Sequence, residues 1–475
     1  MKKLTKGNLE ASFFWCQKVL KFLICALFVC AFSFSLYSEE KDTEKSQNEI
    51  EKQIDILNYG LESDITELIT DLTKEKDAFL VDEIKKMFDT TRNVNVRKKI
   101  IYYFQVLEND SLKDFCLDFL LDPYEEETEY VAQVMQYVSA LKIKEASPEI
   151  LDILKSDNEQ FKNMSITALG LIGGKEEADY LIEYFHDEEL DVIEKQTILK
   201  ALGNLALVET YDDLIEIATD DDENTFVRRY AIEAASKMGK NDVVKILSEM
   251  SHSSDPNIRS VVVQSAGNFV SNEKSECNAD ALIIILDGLK DNHQNVRMES
   301  VKVCREKKLS DAEKILLFRA KNDPVANIKY ECYYALAGIG SKDCADFLSS
   351  VMKDEKMNET ARAKAVDAVL EYNVTLCYDD VKKVAEKALD DDKLKNLRYA
   401  IGKSLANHDN LNFEPTCLEF LKSKDVATKG TGIDIYNRNN YIAARPLIEE
   451  IAASEEKSNP LKKKASLVLE KTKNR

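Results

Sequence analysis

The sequence repeats a two-part pattern twelve times along its 475 residues. In each copy an apolar stretch of helix length runs into an acidic residue, and a second apolar stretch follows, most often opening with Val-Arg or Ile-Arg. The second stretches open at Val96, Tyr130, Phe161, Ile193, Val227, Ile258, Val296, Ile328, Ala361, Leu397, Ala427 and Leu461. Successive openings lie 30 to 38 residues apart. A drifting period near this length is typical of helical solenoids, in which each repeat buries its apolar residues against its neighbours.

Each repeat is predicted to be two amphipathic helices. In residues 211–239, apolar residues recur at helical spacing in both halves, as at Val227, Ala231 and Ala235. Gly239 suits a left-handed C-terminal cap. Prolines are expected only in loops or first helical turns, where a missing backbone donor does no harm. The seven prolines are Pro123, Pro148, Pro256, Pro324, Pro415, Pro446 and Pro460.

An acidic residue before the second helix and a basic residue after its opening recur together. Asp255 with Arg259 and Asp291 with Arg297 are the clearest examples. We therefore expect the acid of one repeat to meet the base of the next, forming a ladder of ion pairs along the stack.

The Asp-loop-[Val/Ile]-Arg pattern resembles that of HEAT-repeat proteins, in particular the shorter repeats of bacterial HEAT-like and bilin-lyase-like proteins. This resemblance implies an all-α, armadillo-like fold, a right-handed α-α superhelix of about twelve helix pairs. The expected organisation is a leader over residues 1–38, a charged linker over 39–53 and the solenoid over 54–475. Tetratricopeptide repeats are the alternative, but they keep a stricter period and a tryptophan that these repeats lack.

The leader reads as an export signal. Five lysines precede an apolar run from Phe22 to Phe34, and small residues such as Ser38 follow it. A cleaved signal peptide places the protein in the periplasm or outside the cell. An uncleaved membrane anchor and a lipoprotein modified at Cys30 are the alternatives.

Charge limits the classes of partner. The chain carries −21, and loss of the leader, which has five lysines and one glutamate, would leave −25. Phosphate-rich partners such as nucleic acid and anionic lipid are therefore not expected, whereas a basic protein or peptide, or a cation, fits.

No catalytic, metal or cofactor pattern stands out. The histidines His186, His252, His293 and His408 lie in different repeats without a second ligand nearby. The acidic runs 220–223 and 390–392 lack EF-hand spacing. Seven cysteines outside the leader are scattered and are interpreted as small buried apolar residues.

Partner-binding residues are expected on the second helices, which usually line the concave face of such a solenoid. Positions two and six residues past each opening should turn away from the core. The selected residues are Lys98, Tyr102, Arg229, Glu233, Gln264, Lys302, Tyr330, Tyr334 and Lys403. Tyr330 and Tyr334 form the preferred aromatic anchor.

The leading interpretation is an exported, non-enzymatic scaffold that binds a protein or peptide along its concave surface. One alternative is a lyase-like or accessory protein that acts on a chromophore or a modified protein, as the family resemblance allows. A structural envelope component is the other.

Overall fold

The computed structural model describes residues 47–187, 190–454 and 460–472. Within these residues there are 26 α-helices and no strand. The leader and the acidic pair Glu455 and Glu456 lie outside the described residues. Among the described helices, none is both long enough and apolar enough to cross a membrane.

The chain divides into two compact units, the first ending at Ile143 and the second beginning at Lys144. The first unit contains α1 Gln47–Tyr59, α2 Glu62–Glu75, α3 Val81–Thr90, α4 Val94–Val106, α5 Lys113–Leu120 and α6 Thr128–Ala140. Helix α1 begins inside the segment expected as a linker, so residues 47–53 are helical.

The second unit contains twenty helices. The first ten are α7 Ser147–Lys155, α8 Lys162–Ile172, α9 Lys175–Phe185, α10 Val192–Leu205, α11 Tyr211–Thr219, α12 Thr225–Lys237, α13 Val243–Met250, α14 Pro256–Ala266, α15 Ala279–Gly288 and α16 Gln294–Lys307. The last ten are α17 Glu313–Asn322, α18 Ala326–Ile339, α19 Lys342–Lys353, α20 Glu359–Glu371, α21 Tyr378–Asp390, α22 Lys395–Asn407, α23 Glu414–Lys422, α24 Val426–Asn439, α25 Arg445–Ala453 and α26 Lys462–Lys471.

Odd and even helices alternate as the first and second members of pairs. Every predicted opening lies in an even helix from α4 to α26 or directly before it, which confirms the predicted helix-pair repeat. One further pair, α1 and α2, precedes them. Helix α2 opens without a Val-Arg pair, so the pattern did not reveal it.

Within each unit, even helices pack against neighbouring even helices and against the odd helix of their own pair. The apolar stripes predicted from spacing are buried, as at Val227, Ala231 and Ala235 of α12. The prolines of the described residues lie in loops or first turns, and Gly239 has a positive φ of 68° as a left-handed cap requires. The prolines and Gly239 therefore lie where the predicted helix pairs require them.

The ion-pair ladder forms at only two junctions between the recurrent acids and bases of the described residues. Arg259 Nε lies 2.7 Å from Asp291, and Arg297 Nε lies 2.8 Å from Asp323. In both cases the base belongs to the earlier repeat and the acid to the later one. The prediction of a ladder along the whole stack is wrong.

Carbonyl groups replace the missing carboxylates. Arg97, Arg228 and Arg362 each donate from Nε to a carbonyl oxygen at or near the end of the preceding odd helix. These carbonyls have no partner within their own helix, so a guanidinium satisfies them. The recurrent arginines thus hold the two helices of one pair together more often than they join pairs.

Candidate partner-binding surface

The first unit has a groove on its even-helix face, the side of the even helices that is turned away from the odd helices. This N-terminal groove crosses α2, α4 and α6 and encloses about 530 Å³. It is lined by Glu62, Thr66, Asn95, Lys98, Lys99, Tyr102 and Gln133.

The helical period of α4 explains which side chains face the groove. Val96, Ile100 and Phe104 are buried in the core. Lys98 and Tyr102 lie between them at i, i+4 spacing and so turn outward on one face. Tyr102 remains 46% exposed. An aromatic ring held on a packed helix offers contact area at small entropic cost.

Polar groups surround this ring. Asn95 Nδ2 donates to Glu62 Oε1 at 3.3 Å, and Lys98 Nζ lies 3.3 Å from Glu129. Gln133 Nε2 donates to Gln105 at 3.0 Å. Each amide side chain has two donors and an acceptor, so capacity is left for another chain.

The second unit has a smaller groove on its own even-helix face. It lies between α20 and α22, encloses about 400 Å³ and includes Lys364, Asp367, Lys403 and Ser404 among its lining residues. Lysine and carboxylate side chains place charges of both signs in this groove.

Asp367 is held at the floor of this second groove by hydrogen bonds. Tyr334 Oη donates to it at 2.6 Å and Ser404 Oγ at 2.7 Å, and His408 Nε2 lies 3.4 Å away. Burial alone would raise the pKa of the Asp367 carboxyl, but the bonds from Tyr334 and Ser404 outweigh burial and lower it. Asp367 is therefore a charged, fixed element of the floor.

The repeat architecture and these grooves can be compared with known proteins. The family described as spirochaete HEAT repeat protein matches residues 57–468, which is most of the chain. The chain belongs to this HEAT repeat family. Among curated proteins, none matches the sequence.

Several solved structures are similar to this HEAT repeat protein at low sequence identity. The karyopherin Kap121p, bound to the extreme C-terminus of the protein phosphatase Cdc14p, is 12% identical, with 96% of this chain and 56% of that chain covered and a TM-score of 0.43. The E. coli protein YibA is 18% identical, and the match covers 54% of this chain and 91% of YibA with a TM-score of 0.37. Human deoxyhypusine hydroxylase in complex with glycerol is 16% identical, and the match covers 55% of this chain and 95% of the hydroxylase with a TM-score of 0.25. This chain spans about half the length of the Kap121p structures.

Most of the predicted binding residues of this HEAT repeat protein reach its surface. Lys98 and Tyr102 line the N-terminal groove and Lys403 lines the second groove. Gln264 and Lys302 are exposed elsewhere on even helices. Four of the predicted residues are partly buried: Lys98, Arg229, Glu233 and Tyr330.

The expected exposure of Tyr334 is wrong. Its side chain is only 7% exposed, and its ring packs 4.4 Å from the Arg305 guanidinium. The sixth position past an opening turns toward the next even helix when the two helices pack closely, so the ring is covered by α20. Tyr334 positions Asp367 and leaves Tyr330 without the exposed partner that was predicted.

Arg305 is the main polar residue of this face that the sequence did not predict. Its guanidinium donates to Glu331 at 2.7 Å, to Glu371 at 2.6 Å and to Tyr372 Oη at 3.0 Å. Burial lowers the pKa of Arg305, but these three bonds outweigh burial and raise it. The partners come from two later helices, so no local motif could have indicated the cluster.

No metal-binding cluster is evident in the described part of the chain, and most of its thiols are buried. Those residues include no cluster of three or more His, Cys, Asp or Glu side chains arranged to hold a metal ion. Six of the seven free cysteines are buried, as predicted. Burial raises the pKa of the Cys116 and Cys304 thiols to about 12, so both are neutral at ordinary pH.

Proposed function

We propose that this HEAT repeat protein is a non-enzymatic scaffold that binds an extended segment of a protein partner on its even-helix face. The N-terminal groove carries this proposal, because three packed helices enclose it and Tyr102 stands exposed in it. HEAT-repeat solenoids commonly serve as protein-interaction scaffolds.

The chemistry of the groove suits a polypeptide. Asn95 and Gln133 offer amide groups that can pair with the N–H and C=O groups of an extended backbone. Tyr102 offers an apolar surface with a polar tip for one side chain of the partner. Lys98, which forms an ion pair with Glu129, adds a charged group to the groove beside Tyr102. Alternate polar and apolar contacts of this kind give both affinity and register.

Binding is proposed to occur outside the cytoplasm, after export through the leader. The mature protein would then begin between Leu36 and Lys41. Intact mass spectrometry of the protein purified from its native host measures this directly, and retention of residues 1–38 would contradict cleavage.

Site-specific photo-crosslinking tests the proposed surface. We would replace Tyr102 by p-benzoylphenylalanine and, as a matched control, replace Phe79, which is 58% exposed in the loop before α3. A predominant cross-linked polypeptide at position 102 that is absent at position 79 is the expected result. Identical products at both positions, or products containing only this chain, would count against the groove.

Affinity then measures the contribution of single side chains. A peptide covering the cross-linked segment should bind Tyr102→Ala at least about tenfold more weakly than the parent, since an aromatic anchor contributes about 2 kcal/mol or more and about 1.4 kcal/mol is a factor of ten. Phe79→Ala should bind as the parent does. Equal affinities for the parent, Tyr102→Ala and Phe79→Ala would show that Tyr102 does not contribute to binding.

A further inference from the structure

A third pocket lies away from both grooves, at the loops that join the helices of two neighbouring pairs. It encloses about 1080 Å³ between α21, α23 and the start of α22. Its lining carries five basic and five acidic residues, so its charge is balanced.

One arginine in this pocket is buried, and its guanidinium makes only long hydrogen bonds. Arg398 is only 2% exposed. Its Nη1 lies 3.4 Å from each of three oxygens, on Ala388, Leu389 and Asp392, and its Nη2 lies 3.4 Å from Asp392. Its Nε has no hydrogen-bond partner. Such distances exceed the usual 2.7–3.2 Å, and a buried unpaired donor is costly.

Two earlier repeats show how the corresponding arginine pairs with a carboxylate. Arg259, Arg297 and Arg398 are each the fourth residue of an even helix. Arg259 holds both oxygens of Asp291 at 2.7 and 2.9 Å, and Arg297 holds both oxygens of Asp323 at 2.8 and 3.0 Å.

In the repeat after Arg398, the carboxylate is missing from this place. Asp291 and Asp323 both lie three residues before the next even helix, and the residue three before α24 is Ser423. Ser423 lines the pocket together with Arg398. The chain thus keeps the guanidinium and lacks the carboxylate that pairs with it in the repeats of Arg259 and Arg297.

The nearby Asp425 does not substitute. Its carboxylate caps α24 by accepting from the Thr428 N–H at 2.9 Å. It also accepts from Tyr399 Oη at 2.8 Å and from Lys395 Nζ at 3.2 Å. Its hydrogen-bonding capacity is committed to these three residues.

We propose that this pocket binds a carboxylate of a partner polypeptide, which pairs with Arg398 as Asp323 pairs with Arg297. A planar guanidinium recognises a carboxylate through two parallel hydrogen bonds. Ser423 can donate a third, and Lys424, which has no ion pair among the described residues, adds positive charge at the rim. The five acidic residues of the lining disfavour a polyanion and favour a single acidic side chain.

The test compares two blocked peptides, Gly-Asp-Gly-Glu-Gly and its amide analogue Gly-Asn-Gly-Gln-Gly, by titration calorimetry on the full chain at low salt. The acidic peptide should bind at least tenfold more tightly than the analogue. Equal binding of the two would overturn the proposal. Competition by inorganic phosphate at lower concentration than acetate would also overturn it, in favour of a phosphate site.

Two variants connect binding to the proposed residues. Arg398→Lys keeps the charge but loses the planar fork, so affinity for the acidic peptide should fall at least tenfold. Ser423→Asp restores a carboxylate from within the chain, so it should abolish binding and raise the denaturant midpoint. Ser111→Asp adds the same charge at an exposed position of the first unit and should change neither quantity.

Unchanged binding by Arg398→Lys, or a lower midpoint for Ser423→Asp, would overturn the assignment. The result is separable from the proposed scaffold function, because the two surfaces share no residue. Tyr102→Ala should leave acidic-peptide binding intact, and Ser423→Asp should leave cross-linking from position 102 intact.

Discussion

Buried arginines in this chain need partners for their N–H groups, and the partner differs from repeat to repeat. Arg297 and Asp323 are 5% and 1% exposed, so both charges are removed from water together. Burial opposes ionisation of Asp323, but the bonds from Arg297 and from the Val325 N–H outweigh it and lower the pKa of the carboxyl. The pair is therefore charged at neutral pH and depends on both members.

Asp323→Asn is expected to lower the free energy of unfolding by about 3–5 kcal/mol at pH 7, because Arg297 would keep a buried charge without its counter-charge. A carboxyl whose folded pKa is lowered stabilises the fold above its unfolded pKa, about 4, and this stabilisation is lost as the pH falls through the folded value. The difference between parent and variant should therefore shrink below about pH 4.

Urea unfolding at pH 7 and at pH 3 measures this difference. Asp287→Asn serves as the control, because that carboxyl is exposed and pairs with Lys290 in the turn just after α15. Its effect should stay within about 0.5 kcal/mol. A cost for Asp323→Asn that is equally large at both pH values would show that the carboxylate charge is not responsible.

The two tyrosines of α18 should behave differently. Tyr334→Ala removes a buried ring and a bond to Asp367, so we expect a loss of about 3–5 kcal/mol. Tyr330→Ala removes a partly buried ring and should cost less. Thermal unfolding compares the two, and peptide affinity per folded molecule shows whether either ring also contacts a partner. A Tyr334→Ala protein as stable as the parent would contradict the burial described here.

Among the helices, small residues let neighbouring even helices approach closely. A Cβ added at Gly170 of α8 would lie 2.5 Å from Ala201 Cα of α10, and one added at Gly203 would lie 2.9 Å from Ala234 Cα of α12. These atoms belong to backbones, so whole helices would have to move. The small residues Gly170, Ala201, Gly203 and Ala234 therefore set the spacing between these even helices.

Gly170→Ala is expected to destabilise the protein by about 1–3 kcal/mol through overpacking, although alanine is the better helix former. Gly430→Ala is the matched control. A Cβ at position 430 would meet the end of the Leu461 side chain at 3.3 Å, which can move aside. The denaturant midpoint should fall for the first variant and stay level or rise for the second; a fall for both would point to a general effect of removing glycine.

For the whole molecule, net charge decides which partners approach quickly. With a formal charge of −21, the chain attracts basic polypeptides over a distance set by the ionic strength. The association rate of a basic partner identified by cross-linking should therefore fall about tenfold or more between 50 and 500 mM salt. Stopped-flow measurements test this, with the dissociation rate expected to change much less. An association rate independent of salt would indicate that net charge has no part in recognition.

The sequence by itself determined the helix-pair repeat, because apolar spacing, prolines and caps act within a few residues of each other. Val227, Ala231 and Ala235 are buried as their spacing predicts. It also selected Lys98 and Tyr102, since neither falls on the apolar stripe of α4. The burial of residues that pack within one helix pair was predictable, because it depends on apolar spacing within single helices.

Only the tertiary structure decided the lateral contacts. The connections vary enough to make the repeat drift between 30 and 38 residues, so a residue's distance from an opening does not fix its neighbour in the next repeat. Asp425 matches the acidic pattern, yet it caps its own helix and leaves Ser423 opposite Arg398. Tyr334 is likewise covered by a neighbouring repeat, because its helix packs closely against α20. How far each helix is rotated against the next depends on packing among residues about 30 positions apart, and that information is not contained in any single repeat.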